Sequence, residues 1–233
     1  IATSPQFFTT WTGWALSKLK RVPWVFELRD LWPESIKTVG ALKDGLVYNM
    51  LERVELALYR SADLVVPVTD AFKENLKKRG IPENKQLVIP NGSNLELFDK
   101  RRYNGQVRNN LRLDDKFIVG YIGTHGMAHS LDFILNSIAS LEDPDIHFLF
   151  IGDGAEKKNL LRQAEELKLQ NITFIDSVPK TEIPAYLSAI DVSLVPLKKS
   201  DTFKTVIPSK IFEAAAMETP ILLGVEGQAK EIM

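Results

Sequence analysis

Short apolar runs of strand type alternate along this chain with stretches whose apolar residues recur at helical spacing. Val25-Phe26-Glu27-Leu28 is a strand candidate that ends at Arg29-Asp30. Leu46, Met50, Val54 and Leu58 fall on one face of a helix expected over Leu46 to Ala62. Leu64-Val65-Val66-Pro67-Val68 reads as a buried strand, and Thr69 or Asp70 then caps a helix that ends at Gly80. Leu87-Val88-Ile89 is another strand candidate, closed by the turn Pro90-Asn91-Gly92. From residue 93 to about 114 the rhythm breaks. Arg101-Arg102-Tyr103-Asn104-Gly105 is polar and without period, so this stretch reads as a linker.

The alternation then restarts. Strands are expected at Phe117 to Ile122, Phe148 to Ile151, Ile172 to Ile175, Val192 to Val195 and Ile221 to Val225. Helices are expected at Leu131 to Leu141, Glu156 to Leu167, Ile183 to Ile190 and Ser209 to Met217. Strands alternating with helices specify α/β parallel sheets with right-handed crossovers. The restart divides the chain into a first domain over residues 1–92, a linker over 93–114 and a second domain over 115–233. Open parallel sheets bind ligands outside the carboxyl ends of their strands, so the cleft between the domains is the expected site.

Composition narrows the partners. The 233 residues are 45% hydrophobic and 25% charged, which is ordinary for a globular protein, and the formal net charge is -1. That balance gives no reason to expect nucleic acid. The basic runs Lys18 to Arg21 and Lys77 to Arg79 read as solvated helix ends. Cysteine is absent, which excludes disulfides and thiolate metal sites and suits a cytoplasmic setting. His125, His129 and His147 are too scattered for a zinc site. No apolar run approaches the roughly 20 residues of a membrane span, and no signal peptide is visible. The chain opens on Ile1-Ala2-Thr3-Ser4-Pro5 without an initiator Met and stops at Glu231-Ile232-Met233, so a fragment truncated on both sides is expected.

Several segments can carry chemistry. Gly120-Tyr121-Ile122-Gly123-Thr124-His125-Gly126 lies between a strand and a helix. It suits close approach of an anion to the backbone, or is a tight turn and nothing more. Its glycine spacing is not that of a dinucleotide fingerprint, which speaks against a dehydrogenase. Asp153 of Gly152-Asp153-Gly154 reads as a cap for the helix that follows. Glu213 sits between Ile211-Phe212 and three alanines, where a carboxylate near a packed face wants a partner such as a ribose diol; the alternative is an exposed helical Glu. Lys198, Lys199, Lys204 and Lys210 surround the preceding loop and suit a diphosphate leaving group, or are simply solvated. Arg29-Asp30-Leu31-Trp32-Pro33-Glu34-Ser35 follows a buried strand. There Asp30 or Glu34 serves as a general base or orients an acceptor hydroxyl, or else an Arg29–Asp30 or Arg29–Glu34 salt link accompanies a helix cap.

Together these segments resemble the family 4 retaining glycosyltransferases of a bacterial surface-polysaccharide branch. Residues 29–35 resemble its RDLWPES segment, and Pro90-Asn91-Gly92-Ser93-Asn94-Leu95-Glu96-Leu97-Phe98 its hinge motif. Gly123-Thr124-His125-Gly126-Met127-Ala128 resembles its donor-phosphate loop, and Pro208-Ser209-Lys210-Ile211-Phe212-Glu213 its PSKIFE segment. The resemblance implies a GT-B fold of two Rossmann-like domains, the first incomplete and acceptor-side, the second holding the donor and lacking its end. It implies retention at the anomeric carbon and no required metal or other cofactor, with a nucleotide-diphosphate sugar, UDP-type before GDP-type, as substrate. The acceptor would be a glycan or a lipid-linked molecule, the location cytoplasmic, and peripheral contact with the inner face of the plasma membrane is compatible. Carried over by position, Glu213 corresponds to the ribose-binding Glu, Gly123 and Thr124 to the diphosphate loop, and backbone near Val178 to the base contact. His129 stands near the position of the family's loop cation, so Lys199, Lys204 or Lys210 is expected to hold phosphate. Asp30 and Arg29 are the catalytic candidates, with Arg29 where many relatives carry histidine. Thr205 stands where the family has a further Glu, and Asn94 where Asp is usual. The resemblance also implies about one hundred further N-terminal residues, a half-domain on ordinary domain sizes, so the fragment itself is expected to be inactive. A GT-B sugar-nucleotide epimerase and a non-catalytic nucleotide-sugar-binding subunit are the alternatives.

Overall fold

The computed structural model describes residues 1–233, the side chain of Phe7 excepted. The chain forms two compact units, each built on a wholly parallel sheet.

The first unit comprises Ile1–Asn91, Lys199–Ile207 and Glu226–Met233. Its elements run β1 (Ala2–Thr3), α1 (Phe7–Lys20), β2 (Val25–Leu28), α2 (Glu34–Thr38), α3 (Leu46–Ser61), β3 (Leu64–Pro67) and α4 (Asp70–Lys78). The sheet order is β1-β2-β3, with Ala2 opposite Phe26 and Phe26 opposite Val65. Trp24, Phe26, Leu28, Tyr59, Val65, Phe72 and Leu76 form the core. Thr69 is the cap of α4: its hydroxyl accepts from Phe72 N at 3.1 Å. A buried polar network joins α3 to the end of α4. Arg79 Nη2 donates to Glu55 Oε2 at 2.8 Å, and the Tyr59 hydroxyl donates to Glu55 Oε1.

Differences from the sequence reading are instructive here. Only the end of helix α1 is anticipated there, in the basic run Lys18 to Arg21; its body is not, because Phe8, Trp11, Leu16 and Leu19 remain exposed and no buried stripe announces a helix. Its contact with the sheet is made at Gly13, where an added Cβ would lie 2.6 Å from Ala2 Cβ and 2.9 Å from the Trp24 ring. On α3 only the second half of the expected apolar stripe reaches the core. Leu58 is buried and Val54 packs against the core, whereas Leu46 and Met50 are exposed. Leu87-Val88-Ile89 is not a regular strand. Leu87 N and Ile89 N donate to Val65 O and Pro67 O, both at 3.1 Å, so the segment follows β3 without a full ladder.

The second unit comprises Gly92–Lys198 and Pro208–Val225. It contains α5 (Gln106–Leu111), β4 (Phe117–Ile122), α6 (Leu131–Ala139), β5 (Ile146–Ile151), α7 (Lys157–Glu166), β6 (Ile172–Ile175), α8 (Ile183–Ala189), β7 (Val192–Pro196), α9 (Lys210–Ala216) and β8 (Ile221–Gly224). The terminal helix α10 (Gln228–Glu231) groups with the first unit. The sheet order is β6-β5-β4-β7-β8. Side chains alternate across it as a period of two requires. Val119, Tyr121, Phe148 and Phe150 pack with α6 and α7, while Ile118, Ile122, Leu149 and Ile151 pack with α8 and α9.

Boundaries also differ. Residues 93–114 are not a free linker: Phe98 and Leu113 are buried in the second unit's core, and α5 lies against α8. The polar run at 101–105 concealed these apolar anchors. Residues 199–207 cluster with the first unit instead of the second. Phe203 is buried, Thr69 Oγ1 donates to Thr205 O at 3.0 Å, and Thr202 Oγ1 donates to Glu34 Oε1 at 3.2 Å.

Candidate functional site

In the second unit's sheet, β4, β5 and β6 succeed one another outward, and β7 then returns to the other side of β4. The order in which strands are added therefore reverses between β4 and β7, and in such folds a ligand is expected in the crevice beyond the carboxyl ends at that point. The loops leaving those strands are joined there. Lys198 N donates to Ala128 O at 2.7 Å, and His129 Nδ1 lies 3.4 Å from Pro196 O.

The rim of this crevice is main chain. Gly123 N donates to Ile151 O at 2.9 Å, and His125 N to Asp153 O at 2.9 Å. Gly152 has a φ of 143°, and any Cβ there would collide with the Gly123 carbonyl. Only glycine permits this approach of the two strand ends. Asp153 is not the expected helix cap: Glu156 occupies the N-cap position of α7, while Asp153 Oδ1 accepts from Gly154 N at 2.7 Å. The Tyr121 hydroxyl donates to Thr124 O at 2.6 Å and fixes the loop from below, leaving the Thr124 side chain exposed.

Behind the rim stands Lys210, the first residue of α9. Its Nζ lies 4.0 Å from the centroid of the Tyr121 ring and is buried without a hydrogen-bond partner among the described residues. A Cβ on Gly123 would come within 2.9 Å of this amine. Burial pushes the Lys210 pKa down to about 7, against the pull of the Glu213 carboxylate. The neighbouring imidazoles are also held neutral. Burial, with the charge of Lys210 next, lowers His129 to about 4. Burial, with Lys157 next, lowers His125 to about 4. His125 is fully enclosed, its ring near those of Tyr121, Phe150 and Phe174.

Glu213 is neither sealed in nor freely solvated. Its side chain is 21% exposed, and Oε1 lies 3.2 Å from Lys180 Nζ. Lys180 belongs to the segment after β6 that contains Val178, which packs partly on the core. Lys157 secures the start of that segment: its Nζ donates to Gly152 O at 2.7 Å, Ile175 O at 3.0 Å and Asp176 Oδ1 at 2.7 Å. Lys157 and Lys180 escaped the sequence reading, because a lysine at a helix start or in a loop looks solvated until its distant partners are known.

The second unit thus gathers Gly123, Thr124, His129 and Lys210 at one strand end, with Glu213 further along α9 and linked to the Val178 segment through Lys180. Lys199 and Lys204 belong to the first unit. Lys199 is exposed, and Lys204 Nζ is 2.8 Å from Asp201 and 3.9 Å from Glu226, so its charge is already matched. Asp30 and Arg29 also lie in the first unit. Arg29 Nη2 donates to Asn91 Oδ1 at 3.2 Å, in place of either expected salt link. Asp30 Oδ2 accepts from Ser35 Oγ at 3.0 Å, and burial raises its pKa. Among the described residues no cluster of His, Asp and Glu has the makings of a metal site, and no helix is long and apolar enough to cross a membrane.

A glycine rim at the reversal point of a doubly wound parallel sheet, backed by a buried amine, marks the second unit as an α/β domain whose candidate ligand site lies beyond β4 and β7. Comparison with known proteins narrows the class. The family model for glycosyl transferases group 1 matches residues 105–233, and that for the glycosyl transferase 4-like domain matches residues 1–92. The chain belongs to the group 1 glycosyltransferases, and its fold is GT-B.

The chain is 30% identical over 210 residues to WbjE of Pseudomonas aeruginosa, named as a probable glycosyltransferase, covering 89% of this chain and 52% of that protein. It is 29% identical over 199 residues to TuaH of Bacillus subtilis (strain 168), named as a putative teichuronic acid biosynthesis glycosyltransferase, covering 85% and 49%. The chain spans about half the length of the curated relatives it matches. Among solved structures, Anabaena Alr3699/HepE in complex with UDP and glucose superposes with a TM-score of 0.80 at 19% identity, covering 99% of this chain and 60% of that one. WaaG, a glycosyltransferase involved in lipopolysaccharide biosynthesis, gives a TM-score of 0.72 at 16% identity, covering 100% and 69%.

Proposed function

We propose that the second unit holds the diphosphate of a sugar nucleotide at the carboxyl ends of β4 and β7. The whole protein then transfers the sugar, with retention, to a glycan or lipid-linked acceptor in surface polysaccharide synthesis. One observation carries this reading: the Lys210 amine is buried and unpaired directly behind Gly123. A buried polar group without a partner is costly, and an anionic ligand supplies the missing partner. The Gly123–Thr124 loop receives the diphosphate, and Lys210 offsets the charge that grows as the glycosidic phosphate bond breaks. Glu213, held half-buried beside Lys180, accepts from the ribose hydroxyls. The main chain near Val178 meets the base. Asp30 and Arg29 are proposed to orient the acceptor hydroxyl.

The names of similar proteins support the biology. TuaH is named for teichuronic acid biosynthesis, WcaI of Escherichia coli (strain K12) for colanic acid biosynthesis, and HepE was also solved with UDP-glucose. UDP is accordingly the favoured nucleotide. Calorimetric titration of the chain with UDP and GDP tests the site. The expected result is UDP binding that weakens about tenfold in Glu213→Ala, the worth of one charge-assisted hydrogen bond. A folded chain that binds neither nucleotide, together with a full-length parent that binds neither, overturns the reading.

One feature favours a non-catalytic nucleotide-sugar-binding subunit as the second reading. Thr205 supplies no carboxylate, and its hydroxyl donates to Thr202 O at 2.6 Å. Turnover by the full-length parent with any acceptor eliminates that alternative.

A further inference from the structure

Around Lys210 the groups that favour its charged form are few, and burial outweighs them. From β4 comes the face of the Tyr121 ring, 4.0 Å away. From the loop after β4 come His129 and, enclosed beneath it, His125, both uncharged near neutral pH. The Pro196 carbonyl of β7 faces His129 and is not a hydrogen-bond acceptor for the Lys210 amine. On its own helix Glu213 is the acid that acts on it, and that carboxylate lies 3.2 Å from Lys180. Lys157 adds further positive charge behind His125, although its own donors are satisfied. An ammonium ion here has lost its water and gained an aromatic face and a distant carboxylate. The absence of any hydrogen-bond acceptor for Nζ is the geometric sign of this.

We propose, resting on the diphosphate site described above, that Lys210 stands as a free amine in the empty site and that a nucleoside diphosphate binds together with one proton, which Lys210 keeps. The balance is simple. The amine takes a proton from solvent, becomes an ammonium, and donates to the phosphate oxygens; no covalent bond changes. Binding and protonation are then linked. At pH values where the amine of the empty site is already charged, affinity does not change with pH through Lys210. At higher pH each complex must collect a proton, and affinity falls by up to about tenfold per pH unit. A lysine that stays charged throughout would give a flat profile over the same range. The coupling also disfavours binding of uncharged ligands by this subsite, since without the anion the amine has no reason to ionise.

The test is titration of the chain with UDP at about pH 8, above the range near pH 6 where a terminal phosphate itself titrates. Buffers of different ionisation enthalpy report the protons exchanged, and repeats from about pH 7.5 to pH 9 report the slope. The expected result is uptake of about one proton and a dissociation constant that rises about twentyfold across that range. Lys210→Arg, charged at every pH, binds without uptake and with a flat profile. Lys210→Met, which removes the amine, binds weakly and also without uptake. Wild-type binding with no proton uptake overturns the proposal and leaves the diphosphate site standing. Persistent uptake in Lys210→Met overturns it too, because the proton then goes elsewhere. Failure of the wild-type chain and its full-length parent to bind UDP at any pH removes the site and this proposal together.

Discussion

In the first unit the buried charges are answered within the protein. Glu55, only 4% exposed, meets Arg79 at 2.8 Å and the Tyr59 hydroxyl, while the partly buried Asp30 accepts from Ser35. In the second unit the amine of Lys210 is buried as deeply and answered by nothing with a lone pair. Both arrangements place a basic side chain beside a packed sheet. One closes a network and holds two helices together; the other leaves a valence open at a strand end. A satisfied buried network is a structural device, and an unsatisfied group in a native protein asks for a reason, which the proposed function supplies as an anionic ligand.

The contrast breaks if the same kind of substitution has the same effect in both units. Arg79→Met should lower stability by about 3–5 kcal/mol, because it strands the Glu55 carboxylate in the core. Burial already raises Glu55 to about 7 despite its partner. A carboxyl held above its unfolded value binds more protons folded than unfolded, so the first unit should lose stability as pH rises from about 4.5 toward 7. Urea denaturation of Arg79→Met at several pH values checks both the size and the sign.

Next in size is Gly152→Ala. It strains a left-handed residue and drives a methyl group into the Gly123 carbonyl, a loss of about 3 kcal/mol that should also abolish UDP binding. A variant that melts like wild type and still binds UDP would show that the rim does not depend on close approach of β4 and β5.

The smallest effect is the sharpest. Lys210→Met should raise stability by about 1 kcal/mol, since an apolar side chain of similar length replaces a buried, unpaired amine. A fall in stability would mean that the amine has a partner in the folded chain, and the comparison between the units would collapse.

Much of this arrangement was legible in the sequence, and the failures share a cause. Strands β4, β5 and β7 announced themselves as short continuous apolar runs buried on both faces, and helix α3 by an apolar stripe at helical spacing. Gly123 and Gly152 could be placed at strand ends from their neighbours alone. Of helix α1 only the basic end at Lys18 to Arg21 was legible, since Phe8 and Leu19 point outward and Gly13, which meets Ala2 of the sheet, carries no apolar signal. The same applies to Phe98 and Leu113, lone anchors within a polar stretch. At the site, Lys210 was visible as one lysine among four, and only the fold separates it from Lys204, whose ammonium is matched by Asp201 and Glu226. Lys157 was out of reach for a related reason: its partners Gly152, Ile175 and Asp176 come from two other strands. Period reports what a residue's neighbours in sequence do, and long-range pairing is silent until the chain is folded.

The interlocked rim of Gly123, Gly152 and Gly154 has a consequence for how such a protein diversifies. A surface made of main chain offers inheritance nothing to edit: each substitution there is a lesion, not a variation. On the function proposed above, new donor preferences are expected to arise in the segment after β6, around Val178 and Lys180, or in the amine beneath the rim. In a saturation library the three glycines should read as a fixed frame, and tolerated novelty should collect around them.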